Sequence, residues 1–499
     1  MTKSVNIYSL SRIHDEQAFN TIKRHSSGIG SRIQQSEIDS LKIFVDSLID
    51  EECEVGFFDG FFYGYKIPQI SKEFDLLKFS KDYCINIELK SMQVSNDKIL
   101  KQLAQNRHYL NHLNQKVELY TIITDSMSCY KLLTDNSLIA TDINEIKERL
   151  SILSNDYTEG IDNMFRPSDY LVSPLNTPDK FLQGEYFLNA QQEEIKTNLL
   201  NTVTSSNGAD FFHITGKPGT GKTLLLYDLA KELSKNGNTL LVHCGMLSSS
   251  QDRIKNEICG LEIIPAKLLE NDAVNLSEYR FILVDETHRM YNPQFTKLCL
   301  SVKLNKQICI FSSDPGQILS HAEKNRQIVD RIRQLKLSGN YELSDRIRSN
   351  KELISFIRQM IDLNDKPKVH MDYPNIELNY ANSIKEARLL IKYYRKKGFI
   401  FINYSKSNFN NSPYSKYIFE EDHDTHHVIG QEFDNVVILM DSSFFYNETN
   451  ILSAISHPNP NYIYPNLFYQ GVTRAREKLA IIIVEAPELF EKMSQIVIA

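Results

Sequence analysis

The sequence predicts an α/β protein with parallel sheets, and three observations support this fold class. The chain has 499 residues, which at roughly 150 residues per domain indicates about three domains. From about residue 185 onward, short β-rich runs alternate with helical stretches, as in parallel strands joined by crossover helices. The 41% hydrophobic and 24% charged residues exclude a disordered or low-complexity chain.

Composition also limits the compartment and the partners that we expect. No run approaches the ~18 apolar residues that a membrane span requires, and the N-terminal residues lack the pattern of a signal peptide. We therefore expect a cytoplasmic protein without a membrane partner. Seven cysteines without a CxxC pair favour reduced thiols. Since the net charge is −7, any contact with nucleic acid must use local basic surfaces.

The pattern along the chain divides it into four segments. Residues 1–150 are predicted to form one α/β domain and residues 151–184 a linker, because the latter are polar, contain several prolines and show no sustained periodicity. Two further lobes are expected at 185–340 and 341–499. The strands expected in these lobes are 211–215, 239–243, 281–284, 308–311, 399–403, 436–440 and 479–484.

A glycine-rich loop at residues 216–223, GKPGTGKT, fits the pattern GxxxxGK[ST] between a predicted strand and a predicted helix. Gly216, Gly219 and Gly221 allow the backbone to wrap around phosphates and point its N–H groups at them. Lys222 would reach the outer phosphates, and the Thr223 hydroxyl would hold Mg²⁺. The loop therefore predicts binding of ATP and Mg²⁺.

The second half of an ATPase site is expected at the end of a buried strand. Residues 281–286, FILVDE, place two carboxylates there. Asp285 would hold the metal ion through water, while Glu286 would act as general base on the attacking water.

Further motifs, in order, resemble those of superfamily 1 helicases, in particular the Schlafen group 3-type helicase domain, over about residues 185–499. The resemblance implies two RecA-like P-loop lobes and an ATP hydrolase. The matching stretches are LNAQQ at 188–192, DPGQ at 314–317, a motif IV at 343–349, HHVIGQEFD at 426–434 and VTRAR at 472–476. The resemblance also implies a role for one residue of each stretch. Gln192 would read the adenine, Gln317 would sense the γ-phosphate and Glu432 would contact the ribose. Arg348 would contact the phosphates from the second lobe, and Arg474 would be the arginine finger.

The predicted motor is small. Only about seventy residues separate Ser349 from the HHVIGQEFD stretch, without an insertion large enough for a strand-separating domain, and this weakens a prediction of processive unwinding. The cluster His423, Asp424, His426 and His427 permits a metal site, but its place in that stretch favours an ordinary loop.

The N-terminal domain contains a second candidate site on a predicted hairpin, formed by strands 74–79 and 83–90. Because strand side chains alternate, Glu88 and Lys90 point to one face, where Asp75 of the neighbouring strand can meet them. Asp75 and Glu88 are suitable ligands for Mg²⁺, and the lysine can orient or deprotonate a water. This combination suits phosphodiester hydrolysis.

The spacing of Asp75, Glu88 and Lys90 resembles the PD-(D/E)XK nuclease family, although Phe74 stands where the family name has a proline. The following helix carries Gln105-x-x-x-Tyr109, similar to the QxxxY motif of RecB-like members, whose two side chains share one helical face. The resemblance implies Mg²⁺, or Mn²⁺, at Asp75 and Glu88. An upstream carboxylate often completes such sites, and the sequence leaves Glu37, Glu52 and Glu54 open.

The aromatic run at 57–65 suits stacking on unpaired bases, although packing in the core is the more common role of such a run. Together, the resemblances imply an ATP-dependent translocase or helicase fused to a Mg²⁺-dependent nuclease that cleaves nucleic acid, with DNA favoured over RNA. Bacterial nuclease-helicase fusions of antiviral defence have a similar arrangement. Two alternatives stay open: a nuclease gated by an ATPase switch without processive unwinding, and a remodelling ATPase whose N-terminal domain no longer cuts. Companion proteins and self-association also stay open.

Overall fold

The computed structural model describes residues 2–498 except 14, 16, 22–34, 50–54, 68–71, 114, 154–159, 162–163, 166–170, 206–207, 271–272, 345–349, 368–369, 406–422 and 456–461. The chain forms two compact units, Met1–Tyr170 and Leu171–Ala499, and the boundary falls inside the segment predicted as a linker. Three sequence candidates, Glu52, Glu54 and Arg348, lie outside the described residues.

The first unit contains one six-stranded sheet whose strands follow chain order from β1 to β6. Neighbouring strands are antiparallel except for the parallel pair β3 and β4, which helix α3 connects. The strands are β1 Phe61–Lys66, β2 Glu73–Phe79, β3 Tyr83–Lys90, β4 Lys116–Ile123, β5 Ser128–Leu132 and β6 Leu138–Thr141, and the helices are α1 Ile7–Ser11, α2 Gln35–Leu48, α3 Asn96–Leu110 and α4 Ile143–Ile152. The predicted hairpin is confirmed as β2 and β3.

The core of this unit explains the aromatic run. Helix α2 buries an apolar stripe at helical spacing against the sheet, which includes Ile38, Leu41, Phe44, Val45 and Leu48. The aromatic side chains that follow it are buried as well: Phe58, Phe61, Phe62, Tyr63 and Tyr65. The burial of these rings supports core packing as their role.

The second unit begins with a parallel sheet in the order β12-β7-β11-β10-β8-β9. Its strands are β7 Asp210–Gly216, β8 Thr239–His243, β9 Leu261–Pro265, β10 Phe281–Asp285, β11 Ile308–Ser313 and β12 Leu337–Leu343. Its helices are α5 Pro178–Gln183, α6 Ala190–Ser205, α7 Lys222–Leu233, α8 Ser249–Glu257, α9 Asn292–Leu304, α10 His321–Arg326 and α11 Ile328–Arg333. The predicted start of the second lobe, residue 341, lies inside β12, which pairs with β7 of this sheet.

A second parallel sheet, in the order β13-β19-β16-β14-β15, and a separate hairpin complete the unit. The sheet strands are β13 Ile376–Ala381, β14 Ile400–Asn403, β15 His423–Asp424, β16 Phe433–Asp441 and β19 Ala475–Val484, and the hairpin is β17 Phe444–Tyr446 with β18 Leu452–Ala454. The helices are α12 Lys351–Ile361, α13 Ile384–Lys396, α14 Tyr464–Val472 and α15 Pro487–Ile498. The central strands β16 and β19 carry apolar, buried runs at 436–440 and 479–484, as expected of strands covered on both faces.

The seven predicted strands of this unit are all present, and the predicted α/β class with parallel sheets is confirmed. Within the described residues, no helix combines the length and the apolar character needed to cross a membrane.

Candidate active sites

The phosphate loop joins β7 to α7 in the predicted order, and its glycines are required by its geometry. Gly219 and Gly221 have φ angles of 76° and 80°, a left-handed conformation that favours glycine. A Cβ atom on Gly216 would lie 2.6 Å from Thr220 Oγ1 and 2.9 Å from the carbonyl oxygen of Leu343. Any larger residue at 216 would therefore push the loop away from β12.

Lys222 and Thr223 open helix α7, and both side chains are buried beneath the loop. The ammonium group of Lys222 donates to the carbonyl oxygens of Gly216 at 2.7 Å and Lys217 at 3.0 Å. It also lies 3.6 Å from Oδ2 of Asp314. Thr223 Oγ1 donates to Asp285 Oδ2 at 3.4 Å, so the two predicted metal-holding groups meet. The hydroxyl and the carboxylate form an oxygen pair of the kind that Mg²⁺ binds beside phosphates.

Glu286 follows β10 in a left-handed turn with φ 55°, an unfavourable conformation for a residue other than glycine. Its Oε2 atom lies 3.4 Å from His288 Nε2 and 3.5 Å from Arg289 Nε. Burial alone would raise its pKa, but the neighbouring His288 and the charges of Arg289, Lys222 and Arg474 lower the pKa of Glu286 to about 2. The carboxylate is therefore ionised at neutral pH, as a general base must be.

His288 joins this acidic turn to the predicted γ-phosphate sensor. Its Nδ1 atom accepts a hydrogen bond from the backbone N–H of Asp314 at 3.3 Å. Burial and the neighbouring Arg289 lower the pKa of His288 to about 3, so the ring is neutral. Gln317, three residues beyond Asp314, is buried, and its amide oxygen has no hydrogen-bond partner within the described part of the chain.

The side chains of two residues predicted to contact the nucleotide, Gln192 and Glu432, contact other groups of the protein in this structure. The Gln192 side chain donates to the carbonyl oxygen of Gly221 at 3.2 Å and accepts from the backbone N–H of Asn189 at 3.0 Å. In this structure Gln192 therefore supports the phosphate loop, and an adenine contact would require it to exchange these bonds. The carboxylate of Glu432 lies 3.4 Å from Arg476 Nε, so it faces an arginine of its own lobe.

Arg474 connects the two lobes electrostatically. Its guanidinium donates to the carbonyl oxygens of Gln470 at 3.2 Å and Gln431 at 3.1 Å, which fixes its direction. Its charge contributes to the lowered pKa of Glu286, so it acts at the phosphate side of the cleft. The lobes also touch nearby, since the backbone N–H of Ile463 donates to the carbonyl oxygen of Leu319 at 2.9 Å.

Part of the second unit matches a known helicase family. Residues 209–401 match the model of the Schlafen group 3 DNA/RNA helicase domain. The predicted helicase-type domain is therefore confirmed for this part of the chain. No curated protein matches the chain.

Solved structures that resemble the chain include two Pif1 helicases. That from Bacteroides, in complex with ADP-AlF3 and single-stranded DNA, is 12% identical, covers 59% of this chain and 92% of its own, and has a TM-score of 0.33. That from Candida albicans is 12% identical, covers 62% of this chain and 98% of its own, and has a TM-score of 0.32.

In the His423, Asp424, His426 and His427 cluster, His423 and Asp424 form strand β15 and the other two histidines lie in the turn that follows. Asp424 Oδ1 accepts from the backbone N–H groups of His426 at 2.8 Å and His427 at 2.9 Å, and the same oxygen lies 2.9 Å from His427 Nδ1. Within the described residues, no group of three or more His, Cys, Asp or Glu side chains has the arrangement of a metal site.

In the first unit, the three predicted nuclease residues do converge. Lys90 Nζ lies 3.9 Å from Asp75 Oδ2 and 3.8 Å from Glu88 Oε2. They line a cavity of about 420 Å³ that Glu37 and Glu73 also line. Of the three upstream carboxylates that the sequence left open, Glu37 is thus placed beside the site.

The two carboxylates differ in their surroundings. Glu88 is almost fully buried, while the Asp75 side chain is 34% exposed and accepts a hydrogen bond from the backbone N–H of Leu89 at 2.9 Å. Burial in the cavity wall and the charge of Glu88 raise the pKa of Asp75 to about 7. A divalent cation bound by both groups would remove this repulsion, and hard carboxylate oxygens suit Mg²⁺, so the residues fit the predicted ion.

Three amide side chains that sequence reasoning missed hold Glu88. Asn86 Nδ2 and Asn106 Nδ2 donate to its Oε1 atom at 3.2 and 2.8 Å, and Gln102 Nε2 donates to Oε2. The side chains of the predicted helix pair, Gln105 and Tyr109, are hydrogen-bonded to each other. The helix residues that contact Glu88 are thus Gln102 and Asn106, another i, i+4 pair. Their spacing, with Asn86 two residues before Glu88, was a usable signal.

Asp75→Asn tests this electrostatic description. The pKa of Asp75 in the folded protein is above its value of about 3.8 in an unfolded chain, so its stabilising contribution is present at low pH and is lost between about pH 4 and pH 7. We measure the melting temperature of the variant minus that of the wild type, with metal ions chelated. This difference should be larger at pH 8 than at pH 5. Adding Mg²⁺ at pH 8 should then raise the melting temperature of the wild type and leave that of the variant unchanged. An equal response of both proteins to Mg²⁺ would contradict the site.

Proposed function

We propose that the chain couples an ATP-driven, helicase-type motor to a Mg²⁺-dependent nuclease that acts on nucleic acid, with DNA favoured over RNA. The observation that carries the proposal is that one chain contains two separate clusters of side chains whose chemistry suits work on phosphates. One is the phosphate loop with Asp285 and Glu286, and the other is the cavity with Asp75, Glu88 and Lys90.

In the motor, the phosphate loop and Lys222 would bind the phosphates of ATP, and Thr223 with Asp285 would hold Mg²⁺. Glu286, ionised by its cationic neighbours, would accept the proton of the attacking water. Arg474 of the second lobe would stabilise charge on the transferred phosphoryl group. The Pif1 structure that holds ADP-AlF3 and single-stranded DNA supports the expectation that such a fold binds both ligands.

In the nuclease, Asp75 and Glu88 would hold Mg²⁺, which when bound polarises a phosphate and supplies an activated water. Lys90 would orient that water and offset the negative charge at the scissile phosphate. Asn86, Gln102 and Asn106 would keep Glu88 in position, since its two oxygens accept their hydrogen bonds. A role in antiviral defence is proposed from resemblance to bacterial nuclease-helicase fusions alone.

Cleavage of labelled single- and double-stranded DNA and RNA, with Mg²⁺ and with or without ATP, tests the coupling. We expect ATP to change the cleavage rate of the wild type and to have no effect on Lys222→Ala, because that variant lacks the cation at the outer phosphates. Lys235→Ala is the matched control, since its side chain is 62% exposed and pairs only with Glu232 among the described ion pairs.

The other outcomes separate the alternatives. Cleavage that responds to ATP without strand separation would indicate a gated nuclease instead of a processive motor. ATP hydrolysis without cleavage of any substrate would contradict the nuclease and leave a remodelling ATPase.

A further inference from the structure

Arg289 is a buried cation beside the ATP site with no assigned role. It ends the short turn Thr287–Arg289 that follows Glu286, and its side chain is only 3% exposed. None of its three guanidinium nitrogens has a hydrogen-bond partner within the described part of the chain. A guanidinium carries five N–H donors, and leaving buried donors without acceptors is unfavourable. Such a group is suited to receive an anion.

The surrounding acids neutralise Arg289 without satisfying these donors. Its Nε atom lies 3.5 Å from Glu286 Oε2, and its Nη1 atom lies 3.6 Å from Glu323 Oε1. Both distances exceed those of good hydrogen bonds, about 2.7 to 3.2 Å. The guanidinium is thus held between two carboxylates by charge, and its N–H groups can still donate hydrogen bonds.

Hydrogen bonds of the backbone hold Arg289 in position. Its backbone N–H donates to the carbonyl oxygen of Glu286 at 3.0 Å, and its own carbonyl oxygen accepts from Arg326 Nη1 at 2.8 Å. Glu323, which faces its guanidinium, is itself held by the backbone N–H of Leu319 at 2.7 Å. These contacts come from the first lobe, so the arginine is presented on the same lobe as the phosphate loop.

The location of the group specifies which anion it would meet. Arg289 adjoins Glu286, the proposed general base, and Lys222 and Arg474 act on that same carboxylate. The general base must stand next to the water that attacks the γ-phosphorus. A guanidinium in contact with this base therefore lies beside the γ-phosphate and away from the adenosine end of the nucleotide.

We infer that Arg289 is a second arginine of the ATPase site, supplied by the first lobe, whose unsatisfied N–H groups bind γ-phosphate oxygens when ATP is present. The inference rests on the proposed ATPase function and extends it. In hydrolysis, the water oxygen bonds to the γ-phosphorus, the bond from that phosphorus to the bridging oxygen breaks, and ADP keeps the electron pair. The water proton passes to Glu286. Arg289 keeps its own protons and stabilises the charge on the transferred phosphoryl oxygens.

Binding measurements with Mg²⁺ and two fluorescent nucleotides, an ADP and a non-hydrolysable ATP analogue with a β,γ-imido link, test the inference together with ATPase assays. For Arg289→Ala we expect about 10-fold or greater loss of affinity for the ATP analogue, with ADP affinity within about 2-fold of wild type. The rate of hydrolysis should fall about 100-fold or more. Arg289→Lys keeps the positive charge but loses the planar arrangement of N–H donors. Its affinity for the ATP analogue and its rate of hydrolysis should therefore lie between those of the wild type and of Arg289→Ala.

Arg331→Ala is the matched control, because this arginine of α11 bonds to Asn292 and Thr296 at exposed positions; both affinities and the hydrolysis rate should equal those of wild type. If Arg289→Ala fails to fold, Arg289→Lys supplies the same comparison. An unchanged ratio of the two affinities in a folded variant, or an equal loss of both, would overturn the inference and leave Arg289 with a structural role. Failure of the wild type to bind either nucleotide would instead overturn the proposed ATPase.

Discussion

Glu286→Gln is expected to lower the rate of ATP hydrolysis by about 100-fold or more while ATP binding persists. Glutamine has nearly the same shape as glutamate but cannot accept the proton of the attacking water. The phosphate loop, Lys222 and the Thr223 and Asp285 pair do not depend on this carboxylate, so nucleotide affinity should remain within about 5-fold of wild type.

The pKa of Glu286 adds a second expectation for the same enzyme. Because its neighbours hold that pKa at about 2, the carboxylate is expected to stay ionised between pH 5 and pH 8. The hydrolysis rate of the wild type should therefore show no acidic limb attributable to this group between pH 5 and pH 8. A rate that falls with an apparent pKa near 6 would point to another general base.

Glu257→Gln serves as the control for this substitution. Glu257 lies at the end of α8 with its side chain 50% exposed and paired with Arg253. The same chemical change there should alter neither hydrolysis nor binding. If Glu286→Gln hydrolyses ATP at the rate of Glu257→Gln, the assignment of the general base is wrong.

The candidate ATPase site was predictable because its signals are local. Gly216 to Thr223 and Asp285 to Glu286 are short contiguous runs, and each follows a buried strand as the pattern requires. Contacts made over long sequence distances were not predictable. Arg289 and Glu323 are thirty-four positions apart and meet only because α10 folds back over the turn after β10. A sequence motif carries no such information.

The N-terminal site shows the same limit. Strand alternation placed Asp75, Glu88 and Lys90 on one face, and the structure brings them together. In α3, the pair that contacts Glu88, Gln102 and Asn106, lies three residues before the predicted pair, Gln105 and Tyr109. The rotation of α3 about its axis, which packing of Ile99, Leu103 and Leu110 sets, directs Gln102 and Asn106 toward Glu88. Only tertiary packing fixes this rotation.

Lys90→Ala is expected to lower the rate of cleavage by about 100-fold or more, while nucleic-acid binding is retained. Lys90 is the nearest cation to both carboxylates, within 4 Å of each. Its charge lowers the pKa of Asp75, so its removal should raise that pKa further and weaken Mg²⁺ binding near neutral pH. The measurement is cleavage of a labelled substrate over pH 6 to 9, together with the Mg²⁺-induced shift in melting temperature.

Lys90→Arg separates the charge of this residue from its proton chemistry. Arginine keeps the positive charge beside Asp75 and Glu88 but does not deprotonate under these conditions. If Lys90 only neutralises the site, arginine should restore both the Mg²⁺ response and cleavage. If Lys90 also orients or deprotonates the attacking water, arginine should restore the Mg²⁺ response and leave cleavage low, and this second result is the one that we expect.

Lys81→Ala provides the matched control, because Lys81 lies exposed in the turn between β2 and β3 of the same hairpin. Its loss removes an identical charge from the same unit without touching the cavity, so cleavage should be unchanged. Wild-type cleavage by Lys90→Ala would show that any nuclease activity of the preparation arises outside this cavity. Since Asp75, Glu88 and Lys90 define the proposed centre together, that single result would remove the nuclease from the proposed function while leaving the ATPase intact.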